Sequence, residues 1–161
     1  MKSLLLFLPI FAVVAALSLL CSGCVDEQKE HEKQLEKIKA YISDKKLTDV
    51  VTTESGLSYK ITQVGTGGNP VSSSTVACYY KGYLLDGSVF DELSRSSGKA
   101  AIEFGLNEVI AGWTEGIPKI KSGGKALLMI PSRLGYKDKA QANIPANSVL
   151  VFEVELVSFR N

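Results

Sequence analysis

Two alternating stretches joined by Asp86-Gly87 limit the fold of this chain more than any other feature. Thr75 to Leu85 reads as a strand, and Ser88-Val89-Phe90-Asp91 begins a return strand. Glycine reaches the positive φ of a tight turn at no steric cost, so the pair predicts an antiparallel hairpin. Leu57-Ser58-Tyr59-Lys60-Ile61-Thr62 alternates with period two, which puts Leu57, Tyr59 and Ile61 on one face of an earlier strand. Gly65-Thr66-Gly67-Gly68-Asn69-Pro70 is a turn cluster, and Ala101 to Phe104 is short and extended. Lys125 to Ile130 reads as a buried strand, and Ser148 to Phe159 as the last, with Leu150, Phe152, Val154 and Leu156 on one side. One short helix is expected over Asn107 to Ile117, with Asn107 as its N-cap and Pro118 at its close. Many strands, one short helix and no βαβ rhythm predict an antiparallel α+β domain over residues 51–161.

The N-terminal segment has a different texture. Met1-Lys2-Ser3 leads into an almost wholly apolar run from Leu4 to Leu20, followed by Cys21-Ser22-Gly23-Cys24. This is the layout of a bacterial export signal over residues 1–23, with a retained membrane anchor as the alternative. A small pair before a cysteine resembles the lipobox of bacterial lipoproteins. That resemblance implies lipidation of Cys24 and a lipid-anchored protein of the bacterial cell envelope, at the outer membrane and facing periplasm or surface. Cys78 is then the one thiol left without a partner; beside Tyr80 on the same strand face it reads as a small buried hydrophobe, with a redox role as the alternative.

Residues 24–50 are expected to form a charged helical tether. His31, Leu35, Ile38 and Ile42 fall on one helical stripe, while Glu30 with Lys33 and Glu36 with Lys39 can pair weakly along the surface. Either a solvated spacer or a dimerisation or docking helix fits this narrow stripe. His31 is expected to be exposed and idle.

Composition and failed motifs narrow the chemistry. A formal net charge of +1 gives no basic excess for nucleic-acid binding. With His31 the lone histidine, a Ser-His-Asp or Cys-His mechanism is disfavoured. Gly65-Thr66-Gly67-Gly68 and Ser122-Gly123-Gly124-Lys125-Ala126 both lack the ending of a phosphate loop. Asp91 and Glu92 are adjacent, so on a strand they point to opposite sides and form no glycosidase-type pair. No cluster has metal-ligand spacing.

An ordered series of motifs remains. Tyr80-Lys81-Gly82-Tyr83-Leu84 precedes Asp86-Gly87-Ser88-Val89-Phe90-Asp91, then Glu108-Val109-Ile110-Ala111-Gly112-Trp113, Ile130-Pro131-Ser132-Arg133-Leu134-Gly135-Tyr136, and Ile144-Pro145-Ala146-Asn147 through Leu156. Over about residues 54–159 the chain resembles the FKBP-type peptidyl-prolyl cis-trans isomerases. The resemblance implies a twisted antiparallel sheet wrapped around one short helix, and proline-containing polypeptides as substrates. It also implies an affinity for macrolide inhibitors and a reaction that uses neither cofactor nor metal.

Residue by residue, the resemblance makes Trp113 the pocket floor, with Tyr80, Phe90, Val109, Ile110, Ile144 and Phe152 lining the substrate site. It gives Ile110 a backbone N–H for a substrate carbonyl and Tyr136 a hydroxyl for the same kind of partner. Asp91 becomes a buried carboxylate at the pocket edge that orients Tyr80 and polarises the amide. The physical inventory agrees. An X–Pro bond turns over a barrier of roughly 18–20 kcal/mol because the planar amide loses its resonance. A twisted amide is less polar than a planar one, so a dry apolar pocket favours it without proton transfer or a nucleophile.

The sequence departs from the family at a few places. Ser96 stands where an arginine often pairs with the aspartate, with Arg95 beside it as a possible substitute. Ala100 replaces a wall aromatic, Lys137 follows Tyr136 where glycine is usual, and the loop from Lys137 to Asn143 is one residue short. An active isomerase that assists the folding of exported proteins, and a lipid-anchored binding module or chaperone with little turnover, are the two functions these residues permit.

Overall fold

The structure is a computed structural model that describes residues 22–161. The apolar run expected to be a signal lies outside the described residues, as does the side chain of Cys24. The described chain opens with a long helix, α1 (Ser22–Asp44), followed by strands β1 (Val51–Thr52), β2 (Ser58–Gln63), β3 (Thr75–Leu84), β4 (Val89–Leu93) and β5 (Ile102–Gly105). The short helix α2 (Ala111–Gly116), β6 (Lys125–Ile130) and β7 (Leu150–Arg160) complete it. The strands form one antiparallel sheet of seven, in the order β1-β2-β6-β7-β3-β4, with β5 also paired to β3.

Local chemistry accounts for the elements. At the hairpin, Gly87 takes φ +90°, its N–H donates to the Leu84 carbonyl, and the Ser88 N–H donates to Asp86 Oδ1. Helix α2 is shorter than expected. It starts at Ala111 after Ile110, whose ψ of 145° is extended, and Asn107 lies in the turn before it. Asn107 is therefore not the N-cap. The Thr114 hydroxyl instead reaches back to the Leu106 carbonyl at 2.6 Å and ties the helix to that turn.

The sheet is covered on both faces. On one side Leu128, Ile130, Leu150, Phe152, Val154 and Leu156 pack with Trp113, Ile117 and Ile120 into the main core, where Cys78 is fully buried. Burial pushes the Cys78 thiol up to about 12, so it is protonated at neutral pH and behaves as a small hydrophobe.

On the other side Leu127, Met129, Val149 and Val151 pack with Ile38 of α1, with Tyr41, Ile42, Leu47 and Val50 around them. Helix α1 is thus a docking helix rather than a solvated spacer. This also explains the unbroken apolar run of β6: successive side chains point to opposite faces, and each face meets a core.

His31 corrects the expectation made for it. Its side chain is buried against the domain, and Nδ1 has no hydrogen-bond partner among the described residues. Burial, and secondarily the positive charge of Arg133, hold its pKa below the usual 6.5, against a smaller opposing pull from Glu32. The folded chain therefore binds the imidazole proton more weakly than the unfolded chain. Stability from this source is complete above the unfolded pKa and is lost as the pH falls below it. Thermal unfolding between about pH 7.5 and pH 5 should show a larger decline for the wild type than for His31→Gln. Equal declines would show that His31 does not carry the effect.

Candidate functional site

The aromatic residues singled out in the sequence converge on one concavity of about 720 Å³ beside α2. Its lining includes Tyr80, Phe90, Asp91, Val109, Ile110, Trp113, Tyr136, Ile144 and Phe152. For these residues, three strands, a helix and the loop between β6 and β7 bring together positions as far apart in sequence as Tyr80 and Phe152. Register explains the convergence. Gly82 of β3 lies opposite both Asp91 of β4 and Phe152 of β7. A Cβ at Gly82 would stand 2.5 Å from the Phe90 ring and 2.7 Å from the Phe152 ring. A bare backbone there lets the two rings meet edge to face, 5.4 Å between centroids.

Trp113 lies at the centre. Tyr80 and Phe152 meet its ring edge-on at 5.3 and 5.0 Å, and Phe104 tilts against it at 5.2 Å. Its indole is almost fully buried, and the Nε1–H has no acceptor among the described residues. The Ile110 N–H, at the mouth of α2, also donates no hydrogen bond among the described residues.

The polar groups sit at the rim. The Tyr80 hydroxyl donates to Asp91 Oδ2 at 2.6 Å. Burial and then the Asp91 bond push the Tyr80 phenol above its ordinary range, so it stays protonated and donating at any physiological pH. The carboxylate itself is exposed, not buried as expected, because β4 is an edge strand paired only through β3.

Arg95 is not its partner. Arg95 Nη2 and Nε both donate to Glu155 Oε1, at 2.6 and 3.1 Å, and the guanidinium lies 4.8 Å from the Tyr79 ring centre. Tyr80 is thus the hydrogen-bond donor that Asp91 keeps.

Six lining residues were not singled out as site residues in the sequence: Ile102, Phe104, Glu108, Gln141, Ala142 and Asn143. Ile102 and Phe104, on β5, are the large apolar ones among them. The alternation through Ile102 and Phe104 was the available signal. Tyr136 is exposed in the connection between β6 and β7, and its hydroxyl makes no hydrogen bond among the described residues. The next residue, Lys137, has φ +57°, a left-handed conformation that costs a non-glycine residue roughly 1–2 kcal/mol. The family's usual glycine at this position avoids that cost. Among the described residues no group of three or more His, Cys, Asp or Glu side chains could hold a metal ion.

A family model described as FKBP-type peptidyl-prolyl cis-trans isomerase matches residues 67–157. The chain is 41% identical over 134 residues to the FKBP-type peptidyl-prolyl cis-trans isomerase FkpA of Aeromonas hydrophila, covering 83% of this chain and 47% of that protein. It is 45% identical over 111 residues to FkpA of Escherichia coli K12, covering 69% of this chain and 40% of that protein. It spans about half the length of the curated relatives it matches. Among solved structures, the crystal structure of FkpA from Escherichia coli superposes with a TM-score of 0.69 at 36% identity, covering 99% of this chain and 75% of that one. A peptidyl-prolyl cis-trans isomerase from Pseudomonas syringae gives 0.67 at 29% identity, covering 81% of this chain and 96% of that one.

Proposed function

The chain belongs to the FKBP-type peptidyl-prolyl cis-trans isomerases, and from that membership we propose that it catalyses cis-trans isomerisation of X–Pro bonds in folding polypeptides. The observation that carries this reading is the apolar cavity floored by Trp113 and walled by Tyr80, Phe90, Val109, Ile110 and Phe152. A proline ring laid on the indole face leaves water, and its preceding amide enters a low-polarity space. The twisted amide has lost resonance and much of its dipole, so this space penalises the planar ground state more than the transition state.

The unpaired Ile110 N–H and Tyr136 hydroxyl serve as donors to substrate carbonyls, while Asp91 holds the Tyr80 ring edge-on to Trp113. Macrolide inhibitors of the family would enter the same cavity, whose lining also includes Ile102 and Phe104.

Isomerisation of a proline peptide tests this reading. Wild-type turnover should be flat between about pH 6 and 8, because the lining contains no histidine or cysteine and the Tyr80 phenol is raised out of that range. Tyr136→Phe should lower the rate while changing stability by about 1 kcal/mol or less, since it removes one hydroxyl and almost no volume. Asp91→Val should also lower the rate by freeing the Tyr80 ring. Full activity in both variants would mean that the cavity binds without catalysing, as a chaperone or binding module.

We further propose that the chain acts on exported proteins in the bacterial envelope, anchored by lipid on Cys24. The support is the apolar run ending in a small pair before that cysteine. Labelled lipid should be lost in Cys24→Ala and kept in Cys21→Ala; the reverse pattern would move the anchor.

A further inference from the structure

Helix α1 does more than cover the sheet. Gln34 is 1% exposed, and its side chain enters the base of the loop that joins β6 to β7. Its Oε1 accepts the Ser132 N–H at 2.7 Å. Its Nε2 donates to Ser132 Oγ at 2.9 Å, to the Asn147 carbonyl at 3.2 Å and to Glu30 Oε1 at 3.2 Å. Within the loop, the Lys137 N–H donates to the Ser132 carbonyl and the Asn147 N–H to the Lys137 carbonyl, each at 2.8 Å.

These bonds close a ring: Gln34 to Ser132, Ser132 to Lys137, Lys137 to Asn147, and Asn147 back to Gln34. Two of its corners, Lys137 and Asn147, both have φ +57°; asparagine tolerates this left-handed backbone, but lysine does not adopt it readily, so the ring holds strained backbone at Lys137. Tyr136 precedes one corner and Ile144 lies between the two, and both line the cavity.

We propose that Gln34 is a positioning residue for the reaction: it locks the base of the loop and so sets where Tyr136 stands over the cavity. This rests on the isomerase reading of the site. Gln34 belongs to α1 and is not among the cavity's lining residues, so any effect on the reaction passes through the loop. A buried amide engaged by backbone at both its polar ends is costly to remove, because the buried Ser132 N–H then loses its acceptor.

The test uses the full chain and four variants: Gln34→Ala, Ile38→Val, Tyr136→Phe and the double variant Gln34→Ala with Tyr136→Phe. Gln34→Ala should lower kcat/KM about tenfold, mostly through kcat, by letting the hydroxyl drift from its reacting position. Ile38→Val loosens the same helix but leaves the hydrogen bonds among Gln34, Ser132, Lys137 and Asn147 in place, and should lower the melting temperature while keeping kcat/KM. In the Tyr136→Phe background, Gln34→Ala should change kcat/KM less than about twofold, because the group it positions is gone.

Amide hydrogen exchange at Lys137 and Asn147 should speed up in Gln34→Ala and not in Ile38→Val. Should Gln34→Ala not fold, Gln34→Met keeps most of the side-chain volume and loses the hydrogen bonds to Ser132 and Asn147, and the same comparisons apply. Equal losses of kcat/KM with and without the Tyr136 hydroxyl, or a lower melting temperature with unchanged kcat/KM, would overturn the proposal. An inactive wild type would refute the isomerase reading instead, and the exchange rates would still decide whether Gln34 holds the loop.

Discussion

Replacing Trp113 with alanine is expected to cost about 3–5 kcal/mol of stability and to abolish isomerase activity in the fraction that remains folded. The indole is the meeting point of Tyr80, Phe104 and Phe152, with ring centroids 5.0–5.3 Å away. Truncation therefore removes three aromatic contacts at once and deepens the cavity by the volume of a ring system. Surrounding rings would relax into that space only in part, because each is held by strand register or by a neighbour. The orphaned Nε1–H recovers a little, since a buried donor without an acceptor is removed along with the ring. Chemical denaturation paired with the peptide assay separates the two effects. A stable Trp113→Ala variant with near-normal turnover would mean that proline does not stack on this floor.

Ile38→Ala is expected to cost about 2–5 kcal/mol, the usual range for emptying a buried aliphatic site. Ile38 is 1% exposed and packs with Leu127, Met129, Val149 and Val151 on the outer face of the sheet. The buried polar anchor at Gln34 remains, so the helix should stay docked over a cavity rather than leave. Urea unfolding should show the loss as a lower midpoint. A loss below about 0.5 kcal/mol, typical of exposed positions, would mean that α1 behaves as a solvated spacer after all.

The strands were legible because alternation is a local property. Leu57, Tyr59 and Ile61, and then Leu150, Phe152, Val154 and Leu156, declare their inward faces by period two alone. The hairpin was legible because Asp86 and Gly87 carry the turn in their own side-chain and backbone chemistry. Helix α2 was misplaced at its start, since an asparagine in a suitable position competes with the backbone preferences of Val109 and Ile110. The exposure of Asp91 was not legible, because it follows from β4 being at an edge of the sheet.

Many of the cavity's lining residues, from Tyr80 to Phe152, were named through the family resemblance that an ordered set of motifs carries, while Ile102 and Phe104 were not. Local pattern also set the strands and the turn between β3 and β4. Tertiary structure alone decided what α1 does. The stripe His31, Leu35, Ile38 and Ile42 permitted both a spacer and a docking helix, and left Gln34 unremarked. The unbroken apolar run of β6 was the one hint that a second core had to exist. Gln34 finds its partners 98 and 113 residues away, at Ser132 and Asn147. No local pattern encodes a pairing at that separation: a glutamine on a charged helix is chemically ordinary until the sheet order brings the loop base beside it. The same holds for Arg95, whose carboxylate partner Glu155 is set by where β7 lies and not by the motif around Asp91.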